Sequence, residues 1–419
     1  MTPEDASPRV LVVHSGARHN YALPAAFASN GMLEAFYTDA CAGRGIGRIA
    51  EWAGSLPLPR GFKEQATRLA GRRPPDRVLA KTSTDDFATL AYELKARKIS
   101  DPALRRLEHR RLAEARNRRL SAKGLGTATH LFNVLGEGGG LALEARARGI
   151  PVISDIIIAL STARIHYAEF EAFPDWGPPP PDRPAPDFPT PPHLLEATDV
   201  FVCPSPFVAD DLVENFGVKR ASTSVIPYAL SETWFDIAPR PEVGRVLFAG
   251  TADRRKGVHY LAKAAKRLAG HNQSLHFRVA GGVHETVRLH PDASQLTFLG
   301  RVPRDQIKAE FAAADIFVLP TLAEGSATVV YEAMAAGLPV ITTESAGSVI
   351  QDGVEGLIVP ERDPDALASA IDKLVSDREM RTRIAQAARQ KALGAFGWDT
   401  WAENLVGLVR SISGTQIST

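Results

Sequence analysis

Two glutamates in the second half of the chain, Glu324 and Glu332, have the residue type and spacing to bind one ligand. Seven residues separate them, within the segment from Pro320 to Thr343. Glu324 follows an apolar run, Ile316 to Leu319, that predicts a buried strand, whereas Glu332 lies in the helix-forming run Val329 to Ala336. Carboxylates in a loop and in the helix after it can reach a ligand from two sides, and both accept hydrogen bonds from hydroxyl groups.

The predicted start of this helix suits an anion. The amides of Thr328 and Val329 lie in its first turn, where they have no helical partner and where the positive end of the helix dipole is close. Such a site fits a diphosphate, and Gly325 lets a ligand approach the backbone. On spacing alone, an ordinary turn with one exposed glutamate and one on the helix surface remains the alternative.

These residues are expected to be positioned by one strand–loop–helix unit of a parallel α/β sheet. The helix should stop at Gly337, and the next strand is predicted from Pro339 to Thr342. Ligands of such sheets bind beyond the carboxyl ends of the strands. Apolar strands alternate with helices from Arg245 onwards, and the first half shows the same alternation after the run Arg9 to Val13.

Composition limits the class of protein. The 419 residues suffice for two domains, and 44% hydrophobic content with a net charge of +1 gives no indication of a nucleic-acid partner. Only Cys41 and Cys203 are present, which favours a reducing compartment over a disulfide framework or a cysteine metal site. No apolar run approaches the ~20 residues of a membrane span, and the N-terminus lacks a basic start, so a cytoplasmic protein is expected.

The segment from Arg245 to Trp398 resembles the C-terminal half of glycosyltransferase family 4, which comprises retaining enzymes of the GT-B fold. Two stretches carry the resemblance, GRVLFAGTADRRKGVHYLAKA from Gly244 and LAEGSATVVYEAMAAGLPVITT from Leu322. The first half resembles the family in layout only. The resemblance implies an α/β protein with two Rossmann-like domains that face each other across a cleft, and a C-terminal helix that crosses back to the first domain.

The resemblance also implies roles for individual residues. Lys256 is expected to bind the donor diphosphate, Glu324 the transferred sugar and Glu332 the ribose of the nucleotide. Lys256, Glu324 and Arg255 form the predicted catalytic set. The further donor-binding residues are expected to be Gly250, Thr251, Arg254, Ser326, Ala327, Thr328 and Val329. No metal-ligand pattern is found in the sequence, so the reaction is expected to need neither a metal nor another cofactor.

Three positions depart from the residues that are usual in the family. Thr251 stands where an arginine usually follows the glycine of the first loop, so Arg254 or Arg255 is expected to supply the second positive charge. The chain has Glu-Gly-Ser-Ala in place of Glu-Gly-Phe-Gly, which implies a smaller-walled and more polar sugar pocket. Ile157 stands where many members carry a histidine near the transferred sugar.

The acceptor side is expected on the first domain. The loop after the first strand offers Gly16, Arg18 and His19, although Gly16 could equally serve only the turn into the next helix. Near the missing histidine, Asp155 and His166 are the closest polar candidates. Asp155 at a strand end could touch the substrate or be a satisfied structural carboxylate.

Two segments have unusual composition. Residues 44–123 are rich in Lys and Arg, and within them Leu104, Leu107 and Leu112 recur at helical spacing between arginines. Such a helix can lie on an anionic membrane, and the alternative is a solvated face over a thin core stripe. The proline-rich residues 173–193 predict an extended surface loop, either a lid over the cleft or a connection.

These patterns together predict a glycosyltransferase. Residues 1–235 are expected to bind the acceptor, 236–394 the nucleotide sugar, and 395–419 to form the returning helix. The predicted reaction transfers a hexose, with retention, from a UDP- or GDP-linked sugar to a glycan, lipid-linked or small-molecule acceptor. A nucleotide-sugar epimerase and a non-catalytic GT-B binding protein are the alternatives, and peripheral contact with the inner membrane face is left open.

Overall fold

The computed structural model describes residues 7–53, 60–86, 89, 95, 99, 101–180, 192–270 and 275–413, and these form two parallel sheets. The first sheet consists of β1 (Val10–Val13), β2 (Leu33–Thr38), β3 (Thr82–Thr84), β4 (His130–Val134), β5 (Val152–Asp155), β6 (Val200–Cys203) and β7 (Thr223–Val225). Its spatial order is β3-β2-β1-β4-β5-β6-β7. The accompanying helices are α1 (Ala22–Ser29), α2 (Gly45–Ala53), α3 (Arg60–Ala70), α4 (Asp76–Leu79), α5 (Pro102–Ser121), α6 (Gly140–Ala147), α7 (Thr162–Ala172), α8 (Pro192–Glu196) and α9 (Pro206–Phe216).

The second sheet follows after the linking residues 226–244. Its strands are β8 (Arg245–Ala249), β9 (His276–Ala280), β10 (Leu296–Gly300), β11 (Ile316–Leu319), β12 (Val340–Thr342) and β13 (Gly356–Ile358), in the spatial order β10-β9-β8-β11-β12-β13. The helices are α10 (Val258–Leu268), α11 (Glu285–Arg288), α12 (Arg304–Ala313), α13 (Thr328–Ala335), α14 (Pro364–Ser376), α15 (Arg378–Ala395) and α16 (Trp398–Ser413). The predicted division into residues 1–235, 236–394 and 395–419 stays a prediction.

The central strands are buried on both faces, which explains why their sequences are continuous apolar runs. Every residue of β1 and of β11 is at most 1% exposed. Helices cover both faces of a parallel sheet, so the strands do not need the alternating polar residues of a half-exposed sheet. The strand bounds agree with the sequence prediction to within one residue, and α13 begins at Thr328, one residue before the predicted start.

The basic helix α5 and the proline-rich segment 173–193 both differ in part from the sequence prediction. Leu104 and Leu107 on α5 are 54% and 44% exposed, so they do not form a buried stripe. Of the proline-rich segment 173–193, residues 181–191 lie outside the described residues. The described part, from Phe173 to Pro180, packs against the second domain instead of standing free.

The C-terminal helix α16 crosses back to the first domain, as predicted. Its residues Trp401, Leu405, Val406 and Val409 are at most 9% exposed and belong to the same apolar core as α1 and β1. The second domain is therefore joined to the first both by the linker and by this helix.

A second element also bridges the domains, and we call it the α7 arm (residues 162–178). It starts on the first domain, where the amide of Ser161 donates to Asp211 Oδ2 over 3.1 Å. It ends on the second domain, where Trp176 is 2% exposed and stacks on His290 with ring centroids 4.0 Å apart. Within the arm, the buried Glu169 accepts hydrogen bonds from residues of the second domain, namely His259, Tyr260 and Arg362.

Candidate functional site

A cavity of about 510 Å³ lies on the second domain. It lies beyond the carboxyl ends of β8, β9 and β11, where ligands of parallel sheets bind. Its lining includes most of the predicted donor-binding residues together with one that was not predicted: Gly250, Lys256, Glu324, Ser326, Ala327, Thr328, Val329, Glu332 and Arg301. The fold therefore brings together the two sequence segments that were predicted to bind the donor.

Lys256, Arg255 and Glu324 form one ionic cluster, of which Lys256 and Glu324 line this cavity. The Lys256 Nζ and Arg255 Nη1 atoms lie 2.7 Å and 2.6 Å from the same oxygen, Oε1 of Glu324. The three side chains are 12–21% exposed, so solvent screens their charges only in part. Two cations share one carboxylate, and the cluster therefore has a net positive charge that can bind an anion.

The backbone holds the cluster in place. The amide of Lys256 donates to Asp253 Oδ1 over 2.9 Å, which fixes the loop before α10. Gly257 has a φ of +72°, and a Cβ there would lie 1.9 Å from the carbonyl oxygen of Pro320. Only glycine satisfies both conditions, so the Lys-Gly pair lets the first loop touch the end of β11.

The start of α13 provides the expected anion site. Ala327 precedes the helix and has no side-chain oxygen to cap it, so the first-turn amides of Thr328 and Val329 lack a side-chain cap. Both residues line the cavity. The helix N-terminus and the Lys256 cluster thus present positive potential to the same space.

Glu332, on α13, lines the same cavity as Lys256 and Glu324. Burial raises the pKa of Glu332 to about 7, and Arg304 on α12 opposes this shift. Sequence analysis did not single out Arg301 and Arg304. The signal was present in GRVPRD, which follows β10 at the carboxyl end of the sheet, but arginines in loops are too common to be selected without the fold.

Two predicted donor-binding residues lie outside this cavity. Thr251 is exposed, and Arg254 is 2% exposed and turned toward the α7 arm. The Arg254 guanidinium donates to the carbonyl oxygens of Phe173 and Gly177, at 3.2 Å and 3.0 Å, and to that of Pro178. Arg254 therefore braces the arm, and Arg255 supplies the second positive charge near Lys256.

Two of the four predicted acceptor-side residues line a cavity of about 330 Å³ on the first domain. Arg18 and Asp155 line it, and Glu137, which was not predicted, lines it beside them. The Arg18 Nη2 and Glu137 Oε1 atoms are 3.1 Å apart. Gly16 does not line the cavity; its amide donates to Asp39 Oδ1 over 2.8 Å, in agreement with its role in the turn.

His19 and His166 lie in different parts of the structure. His19 lines a small recess next to the acceptor-side cavity, where its ring lies 4.8 Å from that of Tyr228. His166 is on α7 and lines neither of the two large cavities. Ile157, in the position of the family's histidine, contributes to the acceptor-side cavity through its apolar side chain.

Residues next to the two cavities are in contact where the domains touch. A Cβ on Gly325 would lie 2.0 Å from the carbonyl oxygen of Ile157, so the loop carrying Glu324 packs directly on the end of β5. The Ser205 hydroxyl donates to the carbonyl oxygen of Gly325 over 2.5 Å and fastens the same contact from α9. The donor-side and acceptor-side residues are thereby held next to each other.

The described residues contain neither a group of metal ligands nor a membrane-spanning helix. No three His, Cys, Asp or Glu side chains there are grouped so that they could hold a metal ion. Within the same residues, no helix has the length and apolar character needed to cross a bilayer.

Comparisons with known proteins agree with this geometry. The family model for glycosyl transferases group 1 matches residues 232–391. The lipopolysaccharide core biosynthesis glycosyltransferase LpsE of Rhizobium meliloti is 30% identical over 238 residues, which are 54% of this chain and 68% of that protein. The GDP-mannose-dependent alpha-(1-6)-phosphatidylinositol monomannoside mannosyltransferase of Mycobacterium tuberculosis is 30% identical over 244 residues, 52% of this chain and 63% of the relative.

Among solved structures, HepE of Anabaena in complex with UDP is similar with a TM-score of 0.59. The superposition covers 96% of this chain and 100% of HepE at 15% sequence identity. A likeness at this identity shows the fold, which is the predicted GT-B arrangement of two Rossmann-like domains. Across the curated relatives, the aligned region spans between 42% and 68% of their length.

Proposed function

The chain belongs to the group 1 glycosyl transferases, and from that premise we propose that it transfers a hexose, with retention, from a nucleotide diphosphate sugar to an acceptor on the first domain. The observation that carries the proposal is the cluster of Lys256, Arg255 and Glu324 beside the uncapped start of α13. Family 4 membership, as distinct from group 1, is part of this proposal.

The donor is proposed to be UDP- or GDP-linked. HepE was solved with UDP, and the mycobacterial relative is named for its use of GDP-mannose. Lys256 and Glu324 of the cationic cluster and Glu332 all line one cavity of this chain, and we assign the cluster to the diphosphate and Glu332 to the ribose hydroxyls. The residues Ser326 to Val329 would hold the diphosphate and sugar.

The proposed reaction uses this arrangement for electrostatic stabilisation. The bond between the anomeric carbon and the diphosphate oxygen breaks, and the acceptor oxygen bonds to that carbon on the same face. The acceptor's hydroxyl proton passes to the leaving diphosphate oxygen. Negative charge grows on the diphosphate, and Lys256, Arg255 and the amides of α13 lower the free energy of that state. The proposal requires neither a metal nor a protein nucleophile.

The proposal also covers the acceptor, the membrane contact and the cellular location of the enzyme. The acceptor is taken to be a glycan, lipid-linked or small molecule, and the exposed arginines of α5 support peripheral contact with an anionic membrane. Cys41 and Cys203 are free, buried thiols, which supports a cytoplasmic location. Vesicle cosedimentation tests the membrane contact, as described in the Discussion.

The proposal predicts that Lys256→Ala lowers turnover by ~10² to 10³, because one group that stabilises transition-state charge is removed. The measurement is nucleotide release from panels of UDP-sugars and GDP-sugars. Lys266→Ala is the matched control, since Lys266 lies on α10 with its side chain 63% exposed and outside the cavity. Unchanged melting temperatures would show that both variants fold.

Two outcomes would contradict the proposed function. The first is wild-type turnover in a folded Lys256→Ala protein, which would remove this lysine from the reaction. The second is a wild-type protein that binds UDP or GDP but releases nucleotide from no member of either sugar panel. That result would favour the non-catalytic binding protein.

A further inference from the structure

We propose that the 330 Å³ cavity of the first domain binds an uncharged acceptor whose hydroxyl groups lie beside an apolar flank. This inference rests on the proposed function, because it names the class of acceptor for that reaction. It depends on four features of the cavity: the charges at its polar end, its aliphatic walls, the small recess behind it and its place beside the Glu324 loop.

The one cation at the polar end is already paired with a carboxylate. Arg18 is the only cation among the described residues that line the cavity; its Nη2 is paired with Glu137 Oε1, and its buried Nε has no hydrogen-bond partner among them. The other oxygen of Glu137 accepts from the amide of Ser15 over 2.5 Å. Asp155 is the remaining ionisable group, and its burial raises its pKa to about 7. The negative charge of an anionic acceptor would therefore be repelled by these carboxylates, at an end of the cavity where the only cation is already paired.

The walls of the cavity are aliphatic. Leu135, Ile158 and Leu194 come from three separate segments, and further branched aliphatic side chains complete the surface. A free sugar alone would leave much of this surface against its polar hydroxyl groups. An apolar flank on the acceptor would instead remove the aliphatic walls from water, which the hydrophobic effect favours.

The recess behind the polar end is rich in hydrogen-bond acceptors. It holds about 20 Å³, space for one water molecule or one hydroxyl group, and Asp155 and Arg18 line it as well as the larger cavity. His14 also lines it and is 1% exposed. Its Nδ1 contacts the carbonyl oxygen of Ser15, which can only accept, so the proton is on Nδ1.

The assignment of that proton leaves a lone pair on His14 Nε2. This buried atom has no hydrogen-bond partner in the described structure. Burial also lowers the pKa of His14 to about 4, so the ring is neutral near pH 7. Glu137, His14 Nε2 and the ionised form of Asp155 accept hydrogen bonds, and the protonated form of Asp155 donates one. Hydroxyl groups, which both donate and accept, are the neutral groups that fit this set.

The backbone beside the recess is strained, which is typical of binding sites. His19, Asn20 and Tyr21 have φ values of 45°, 54° and 63°, a left-handed turn of three residues that all carry a Cβ. Each such residue is sterically unfavourable, because its Cβ crowds the backbone in this region. The Tyr21 hydroxyl donates to the carbonyl oxygen of Arg72 over 3.0 Å and helps to hold the turn. The turn keeps Arg18 and His19 in the lining of the recess.

The position of the cavity fits an acceptor. Its residue Ile157 contacts Gly325, the neighbour of Glu324, so a molecule held there lies next to the end of the donor cavity that holds the sugar. The acceptor cavity and the donor cavity are then two adjoining parts of one active site across the domain boundary.

The test compares acceptors that differ in one feature. Hexyl glycosides, methyl glycosides and hexyl glucuronides are supplied with whichever donor the wild-type protein hydrolyses. We expect kcat/KM to be highest for the hexyl glycosides, at least tenfold lower for the methyl glycosides, which lack the flank, and at least tenfold lower for the glucuronides, which add a carboxylate.

Two variants address the residues directly. Asp155→Asn should raise the KM for hexyl glycosides at least tenfold, and Leu194→Lys should shift the preference toward glucuronides by adding a cation to the wall. Asp210→Asn is the control, since Asp210 is 47% exposed, paired with Arg220 and outside the cavity. Circular dichroism and melting temperature would establish that each variant folds.

The outcomes separate this inference from the proposed function. Glucuronides used as well as hexyl glycosides, no transfer to any hexyl glycoside, or an unchanged acceptor KM in Asp155→Asn would each overturn the inference while donor hydrolysis still supported the function. A wild-type protein that hydrolyses no donor would overturn both.

Discussion

At the scale of single residues, the donor cavity combines groups whose charges depend on one another. Glu324 is held by Lys256 and Arg255, and its carboxylate keeps both cations in place before the diphosphate arrives. Glu332 has a different environment, since burial raises its pKa while Arg304 opposes the shift. Glu332 therefore changes its protonation near neutral pH, and this change can be measured.

Glu332→Gln should remove a pH dependence from donor binding. With a pKa of about 7, Glu332 in the wild type becomes protonated as the pH falls from 8 to 6. The protonated form accepts ribose hydroxyl groups less well, so the Kd for UDP or GDP should rise several-fold over this range. Calorimetric titrations at pH 6, 7 and 8 would show the rise in the wild type and a flat, weaker affinity in the variant.

The same substitution also has a predictable effect on thermal stability. This effect tests the raised pKa of Glu332 independently of donor binding. The pKa of Glu332 in the folded protein lies above its ordinary value of 4.5, so its stabilising contribution is complete below that value and is lost as the pH rises through 7. Glu332→Gln should therefore melt at a higher temperature than the wild type at pH 8, with the difference shrinking toward pH 4.5. Glu285→Gln, at an exposed position, should show neither effect.

At the scale of elements, the α7 arm joins the two domains. An ordinary alternation of strands and helices does not require such a connection. Its helix starts on the first domain, and its last residues complete the core of the second. Glu169 is 2% exposed, and although burial raises its pKa, the hydrogen bonds from His259 and Tyr260 outweigh that and hold the pKa below its usual value. The arm thus carries a buried charge into the second domain, where it is matched.

Trp176→Ala should destabilise the protein by about 3 to 5 kcal/mol, because a large buried aromatic side chain is removed from the second core. It should also speed proteolytic cleavage within the arm, since the stacking on His290 and the carbonyl contacts of Arg254 depend on this segment. Denaturant unfolding and timed proteolysis are the measurements.

The matched control for the arm is Trp52→Ala. Trp52 is 66% exposed, so its removal should cost much less. Equal destabilisation by the two substitutions, or no change in cleavage of the arm, would show that Trp176 does not anchor the arm to the second domain.

At the scale of the whole molecule, the charge is uneven although the net charge is only +1. Basic residues concentrate on the first domain, and α5 exposes arginines such as Arg111 and Arg118 on its surface. Arg119 on the same helix pairs with Asp85 at 2.9 Å, and Arg111 lies 3.2 Å from Glu108. The donor cavity lies on the other domain, so surface attraction and donor binding can be changed separately.

Reversing Arg111 and Arg118 to Glu together should weaken binding to anionic vesicles at least tenfold, since each basic residue near the surface contributes ~1 kcal/mol. Binding of the wild type should also fall steeply with salt because of screening. Cosedimentation with phosphatidylserine vesicles measures both effects. Reversal of Arg378 and Arg383, exposed on α15, is the control, and the absence of wild-type binding at low salt would contradict the membrane contact.

The sequence by itself determined the features that depend on residues near one another in the chain. The parallel strands, the helix after Glu324 and the Lys-Gly loop follow from apolar runs, glycine positions and helix-forming segments, and the structure agrees with them within about one residue. The proposed donor residues could be named because they lie in two short motifs that resemble glycosyltransferase family 4. The same resemblance implied the GT-B fold, whereas the order of the elements indicated only parallel α/β sheets.

The tertiary structure decided what depends on contacts between distant residues. Arg254 adjoins the donor motif in sequence, yet it donates to Gly177, 77 positions away, and so braces the α7 arm. Glu137, His14 and Asp155 come from three strand ends, and only the order of the first sheet places them around one polar site. Local propensity carries no information about such contacts, because burial and pairing across the chain are fixed only when the sheets and domains pack together.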